Sequence, residues 1–403
     1  MQSPSATDTR RQLPRRAVGR ISARALSSVA FGVTLALIAR MTALDQFGVF
    51  MLAYSVGLVV GILSGLGAPS RVLRAGADRE ATPGALFVVY AVMVGGASAA
   101  CGIVYGAVAP HWAACAGLLL ALGDTFVNFA VAHMTAADRH LVANLLVLGH
   151  RLIPLTAVAL FYCSGPSMQF PAFSAVLAAP ALVALAVPAV VVSIPESLRL
   201  WRSAFTGGAG YWAYSTSALV GQLQVPILGA VTSASVVATY SLAAKVVGPI
   251  SILTASVSVV VVPELVRRLA QPARFDRLFN SIIGLALVYF VIVSALSWPL
   301  ADLIGYVVGP QYRAAEPIVI GMAIGAGISG CSQALSARLL ALGHPLPASM
   351  AILAGGLVGL AVLGSVGVLN LVGELWLVPL VVEIVVVIAM VMANYACTSR
   401  SAP

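Results

Sequence analysis

The amino-acid sequence predicts an all-α polytopic membrane protein of about 12 transmembrane helices, arranged as two six-helix lobes related by a parallel repeat. Three observations predict it. Of 403 residues, 60% are hydrophobic and only 9% are charged, a composition that excludes a soluble domain. Apolar runs of about 20 residues, long enough to cross a hydrocarbon core with every backbone bond made internally, recur along the chain. Two stretches also recur at an offset of about 190 to 200 residues, at equivalent places in the order of spans.

Taken in order, the runs place spans at 19–40, 46–68, 84–107, 112–134, 141–163, 172–194, 207–231, 236–263, 279–303, 315–341, 346–367 and 372–394. Residues 1–18 then form a basic cytoplasmic tail expected to be disordered, 19–194 the first lobe, 195–206 a cytoplasmic linker, 207–394 the second lobe and 395–403 a second tail. Arg10, Arg11, Arg15, Arg16 and Arg20 before the apolar stretch from Ala25 imitate a secretory signal. No small-x-small cleavage site ends that stretch in a polar region, so an uncleaved first span is expected.

Counting basic residues orients the spans. Arg10, Arg11, Arg15, Arg16, Arg20, Arg24, Arg71, Arg74, Arg79, Arg139, Arg199, Arg202, Arg267, Arg268, Arg274, Arg277, Arg338 and Arg400 fall on one side, 18 of the 22 Lys and Arg. Only Arg40 and Arg313 fall on the other, and Arg151 and Lys245 lie within spans. The positive-inside rule makes the rich side cytoplasmic, with both termini on that side, and the expected location is a bacterial cell membrane. The net charge of +9 is thus strung between apolar runs and not gathered on a surface for nucleic acid. Cys101, Cys115, Cys163, Cys331 and Cys397 are odd in number, widely spaced and form no C-x-x-C pair, so neither a metal site nor a disulfide framework is implied. The longest cytoplasmic connection, 264–278, is too short for a catalytic domain, and no G-x-x-x-x-G-K-[ST] loop is present, which argues against ATP hydrolysis.

The repeat aligns Phe47-Gly48-Val49-Phe50-Met51-Leu52-Ala53 with Val237-Ala238-Thr239-Tyr240-Ser241-Leu242-Ala243, and Pro110-His111-Trp112-Ala113-Ala114 with Pro310-Gln311-Tyr312-Arg313-Ala314. These stretches open the second and fourth span of each half. Because six is even, both halves have the same orientation, as in a parallel repeat about the membrane normal.

The same stretches resemble the polysaccharide flippases of the Wzx type, within the multidrug/oligosaccharidyl-lipid/polysaccharide (MOP) exporter superfamily. The resemblance rests on Asp45-Gln46-Phe47-Gly48-Val49-Phe50 and Gly65-Leu66-Gly67-Ala68-Pro69-Ser70-Arg71 in the first half. In the second it rests on Ala238-Thr239-Tyr240-Ser241-Leu242-Ala243-Ala244-Lys245, Val262-Pro263-Glu264 and Gly309-Pro310-Gln311-Tyr312-Arg313-Ala314-Ala315-Glu316-Pro317. It implies a V-shaped, two-lobed transporter that flips a polyprenyl-pyrophosphate-linked oligosaccharide to the outer leaflet without covalent chemistry or cofactor. It also implies cooperation with a polysaccharide polymerase and glycosyltransferases. Twelve spans match this group better than the related peptidoglycan-precursor flippases, which usually add two.

A charge inside a span costs about 2.5 to 3.5 kcal/mol on insertion scales, so each should pair or face water. Asp124 and Arg151 lie about 13 residues on either side of the turn near residue 137, at similar depth, with Asn128 and Asn144 extending polar stripes. Two readings stand: a cavity wall on which Arg151 meets pyrophosphate, or a buried ion pair that orients two helices. Lys245, the sole lysine, could hold the same anion, pair with Glu383 or snorkel outward, while Gln222 shares a face with Tyr211 and Ser215 that could touch sugar. Arg24 could receive phosphate at the entrance or anchor the interface. Asp124 or Glu383 could couple the cycle to an ion gradient or the membrane potential, and Glu383 could equally serve helix packing alone. Gly61 and Gly65, Gly321 and Gly325, and Gly355 and Gly359 stand at small-x-x-x-small spacing, which favours close helix packing.

The leading expectation is therefore a lipid-linked oligosaccharide flippase working by alternating access. The alternative is an ion-coupled exporter of the multidrug and toxin extrusion type, which would want acidic residues at its centre. A membrane polymerase or glycosyltransferase would need a large catalytic loop, and a major-facilitator carrier a longer central connection than 195–206.

Overall fold

The computed structural model describes residues 6–72, 83–108, 111–165, 167–191, 201–205, 212 and 219–400. Apart from turns and short 3₁₀ segments, these residues are helical and contain no strand. The helices are α1 (Ala6–Met41), α2 (Leu44–Ser64), α3 (Pro83–Val108), α4 (Trp112–Ala136), α5 (His140–Ser164), α6 (Phe170–Val191), α7 (Leu219–Gln222), α8 (Gln224–Val231), α9 (Ala234–Arg267), α10 (Pro272–Val307), α11 (Glu316–Ala341), α12 (Pro345–Val368) and α13 (Leu377–Arg400).

Among the described residues, 10 helices are long and apolar enough to cross a membrane, and each overlies an expected span. The eighth expected span lies inside α9, a single helix of 34 residues. The seventh lies partly outside the described residues; its end is α7 and α8, interrupted at Leu223. The segment expected to be a disordered tail is a helical extension of α1 from Ala6 onward, consistent with straight-chain arginines being good helix formers.

Breaks fall where backbone chemistry asks for them. After α2 the chain turns through Leu66 (φ 51°) and Gly67 (φ 69°), and Gly309 (φ 130°) separates α10 from a 3₁₀ turn at Pro310–Ala315. Pro272 and Pro345 open α10 and α12, where a missing N–H leaves no bond unmade.

The chain divides into two compact units, residues 1–223 and 224–403. Within the first, α4 is the most buried candidate span and packs on α2, α3, α5 and α6, while α1 packs on α5. Within the second, α11 is the most buried and packs on α9, α10 and α13, while α8 packs on α12. Counted by span, both units therefore join second to fourth, third to fourth, fourth to sixth and first to fifth. This shared pattern is the three-dimensional form of the repeat. Phe50 and Tyr240, aligned by sequence, are both fully buried; of the other aligned aromatics, Tyr312 is buried and Trp112 exposed.

Small residues let the two central helices approach their neighbours. A Cβ on Gly117 of α4 would collide with the Phe50 carbonyl of α2, and one on Gly321 of α11 with the backbone of Trp376. All three glycine pairs noted in the sequence sit at such contacts; Gly61, for example, faces the Thr125 side chain. In the absence of a hydrophobic drive between helices in lipid, close packing of this kind holds each unit together internally.

Candidate functional site

The polar centre of the first unit is assembled from four helices. Asp124 (α4) and Arg151 (α5), expected at equal depth, do meet: the Arg151 Nη2 donates to Asp124 Oδ2 at 2.8 Å. Two further donors converge on the same carboxylate. The Tyr54 hydroxyl (α2) lies 2.6 Å from Oδ2, and His150 Nε2 (α5) bonds Oδ1. The fourth helix supplies an aromatic lid, since the guanidinium of Arg151 stacks 3.7 Å above the ring of Phe31 (α1), whose centroid is 5.7 Å from that of Tyr54.

Local sequence makes room for this. Gly123 precedes Asp124, and a Cβ there would come to 3.0 Å from His150 Cε1, so the glycine lets the imidazole approach α4 without being pushed aside. Thr125 follows, and its carbonyl accepts a bond from the Tyr90 hydroxyl at 2.7 Å, fixing α4 to α3 at the same level. Asp124 is 7% exposed and its charge is fully compensated, as a buried carboxylate requires. One donor on Arg151 is left over, however. Its Nη1 is buried and has no hydrogen-bond partner among the described residues, and neither has His150 Nδ1, the acceptor nitrogen of an imidazole that donates through Nε2. Since Nη2 holds Asp124 and Phe31 fixes the plane, Nη1 is a preoriented donor for a further acceptor.

Tyr54, His150 and Phe31 were not singled out in the sequence. His150 could have been, because it adjoins Arg151 and so shares its depth. Tyr54 and Phe31 carry no local signal. Asn128, one turn from Asp124, is exposed, so the polar stripe on α4 does not all face the network.

The other candidates are not brought into this cluster. Arg24 is exposed on α1, one turn from the face on which the Ser27 hydroxyl bonds the Val147 carbonyl at 3.2 Å. Gln222 is exposed at the end of α7, and Tyr211 and Ser215 lie outside the described residues. It is the nearby Gln224 that is engaged, accepting from the Tyr240 hydroxyl at 2.9 Å within the second unit. Lys245 is half-buried on α9. Glu383 of α13 accepts from Ser332 of α11 at 3.4 Å, and below it Asn394 donates to the Leu335 and Met390 carbonyls at 3.3 and 2.9 Å. A central polar seam thus runs between the fourth and sixth spans of the second unit. No group of three His, Cys, Asp or Glu suited to a metal ion occurs among the described residues.

No protein-family model and no curated protein sequence matches the chain. Solved structures do. A structure of the lipid II flippase MurJ in an inward closed conformation superposes with a TM-score of 0.70 at 11% identity, covering 94% of this chain and 87% of that one. An inward-facing multidrug resistance MATE family transporter of the MOP superfamily gives 0.62 at 14% identity, over 96% and 100%. A MOP superfamily transporter from Pyrococcus furiosus, whose binding pocket is described as reversed in polarity, gives 0.58 at 12% identity, over 96% and 95%. All three are transporters. At these identities the likeness is one of architecture, and the chain has the fold of the MOP-superfamily transporters.

Proposed function

We propose that this chain flips a polyprenyl-pyrophosphate-linked oligosaccharide from the cytoplasmic to the outer leaflet of a bacterial cell membrane by alternating access, for cell-envelope polysaccharide assembly. The observation that carries the reading is Arg151: a guanidinium fixed within a membrane-embedded lobe by Asp124 and Phe31, with Nη1 still unpartnered among the described residues. Pyrophosphate oxygens suit such a donor, since charge-assisted bonds from arginine to phosphate are short and strong. The likeness in fold to a structure named a lipid II flippase supports a lipid as the cargo.

In this reading Arg24 receives the anion at the entrance, Arg151 and Lys245 hold it during transit, and Gln222 and Tyr211 contact sugar. The polyprenyl tail stays in lipid. Asp124 or Glu383 couples the cycle to an ion gradient or the membrane potential. Polymerase and glycosyltransferases act before and after the flip, and both chain termini face the cytoplasm, following the distribution of arginines.

Depletion of the protein, with mass spectrometry of lipid-linked oligosaccharides and an impermeant sugar-modifying reagent to score their leaflet, tests the proposal. Accumulation on the cytoplasmic face is the expected result. An unchanged pool with unchanged sidedness overturns it. The second reading, an ion-coupled exporter of small molecules, is favoured by Glu383, a carboxylate inside a span whose bond among the described residues is a single long one from Ser332. Loss of drug or dye efflux on Glu383→Gln, with lipid-linked sugars unaffected, would select it.

A further inference from the structure

A short 3₁₀ turn at Trp201–Ala204, continued by Phe205, is fastened to one end of the first unit. Its inner side is anchored twice. Ala204 is buried in a cluster with Ala68, Val72, Leu86 and Phe87, and the Arg71 guanidinium donates to the Ala204 carbonyl. Its outer side is unusual for a polar connection between spans. Trp201 and Phe205 are 46% and 48% exposed and stack edge to face at 5.9 Å, and Arg202 is exposed with its guanidinium 5.8 Å from the Trp201 ring. A third exposed aromatic, Trp212, reaches the same end, its indole N–H bonding the Leu63 carbonyl at 3.2 Å in the last turn of α2.

Water is a poor medium for three half-exposed aromatics, and bilayer hydrocarbon is a poor one for Arg202. The headgroup boundary suits both, because indole rings settle there and guanidinium groups meet phosphate. Placement agrees, since Leu63 lies in the last turn of a span and Leu86 in the first turn of the next. Charge agrees as well: residues 201–205 and 61–72 contain Arg71 and Arg202 and no acidic residue. Among the described residues no side-chain hydrogen bond engages Arg202, so its donors are available to a lipid phosphate.

We propose that Trp201, Arg202 and Phe205 form an interfacial anchor that binds anionic phospholipid at the leaflet bordering this end of the first unit. The anchor rests on the membrane reading of the spans and not on the identity of the cargo. Its consequence is that residues 201–205 are held in the headgroup plane, with anionic lipid as a ligand of the transporter.

The test uses the full chain in nanodiscs, which present the same lipid on both faces and so do not depend on which end is cytoplasmic. In a variant with Trp112, Trp212, Trp298 and Trp376 replaced by Phe, Trp201 is the sole tryptophan and is excited apart from the tyrosines at the red edge of the absorption band. Lipid brominated near the headgroup is expected to quench it about twofold more than lipid brominated near the chain end. Brominated phosphatidylglycerol is expected to quench more than brominated phosphatidylcholine at equal mole fraction, and Arg202→Gln to remove that difference. Should the fourfold variant not fold, wild type is compared with Trp201→Phe, which is expected to lose the phosphatidylglycerol-specific part of the quenching. Strong quenching by aqueous iodide without quenching by bromolipid overturns the anchor. Equal quenching by the two lipids overturns its selectivity for anions.

Discussion

At Asp124, removing the carboxylate and removing the whole pair are expected to have different consequences. Asp124→Ala leaves Arg151 as an uncompensated cation within the lobe, a change that costs about 3 to 5 kcal/mol in buried pairs, and should sharply lower the melting temperature in detergent. Asp124→Leu combined with Arg151→Met replaces the pair by apolar volume and should recover most of that loss. Transport should stay abolished in the double variant, because the phosphate donor is gone; a stable, active double variant would reduce the pair to a device for orienting helices. Tyr54→Phe removes one of several donors to the carboxylate and should cost about 1.5 to 3 kcal/mol, with Arg151 still paired. The central pair was legible in the sequence because one turn fixes the depth of both residues. Tyr54 was not, since it lies 70 residues from Asp124 and only tertiary packing sets that distance.

Helix packing gives contrasts that glycine substitutions can read. Gly117→Ala drives a methyl into the Phe50 carbonyl, a backbone atom with no room to yield, and is expected to destabilise by about 1 to 3 kcal/mol. Gly149→Ala on α5 meets nothing within 4 Å and should be neutral or stabilising, by up to about 1 kcal/mol from helix propensity. Thermal melts of the two variants in one detergent check the difference in sign. The pairs Gly61/Gly65, Gly321/Gly325 and Gly355/Gly359 could be read directly, because glycines four apart stand out in a span. Gly117 is not half of such a glycine pair; its partners at the same spacing are Ala113 and Ala121, which an alanine-rich span does not set apart. Span positions were legible for a related reason, since hydropathy reports the medium around a helix. It carries nothing about which neighbour a helix chooses, so the joining of first span to fifth needed the structure.

Across the whole molecule, the distribution of arginines makes a claim about sidedness that labelling can check. Cys163 is exposed at the end of α5 opposite Arg139, whereas Cys397 lies near the end of α13. An impermeant maleimide applied to intact cells should label Cys163 and spare Cys397 until the membrane is permeabilised; the reverse pattern would invert the topology. The repeat was partly legible, through Phe50 and Tyr240, and becomes plain only when each unit is found to join its spans in the same order. That order has a consequence for biosynthesis. Arg151 follows Asp124 by 27 residues, so at about 5 to 20 residues per second the carboxylate reaches the translocon seconds before its cation is made. Phe31 waits longer still, because its helix partner α5 is the fifth to be inserted. During that interval Tyr54, synthesised 70 residues earlier, is the member of the network able to greet Asp124. Its hydroxyl would then act first as an escort for a nascent charge and only afterwards as part of the finished transporter.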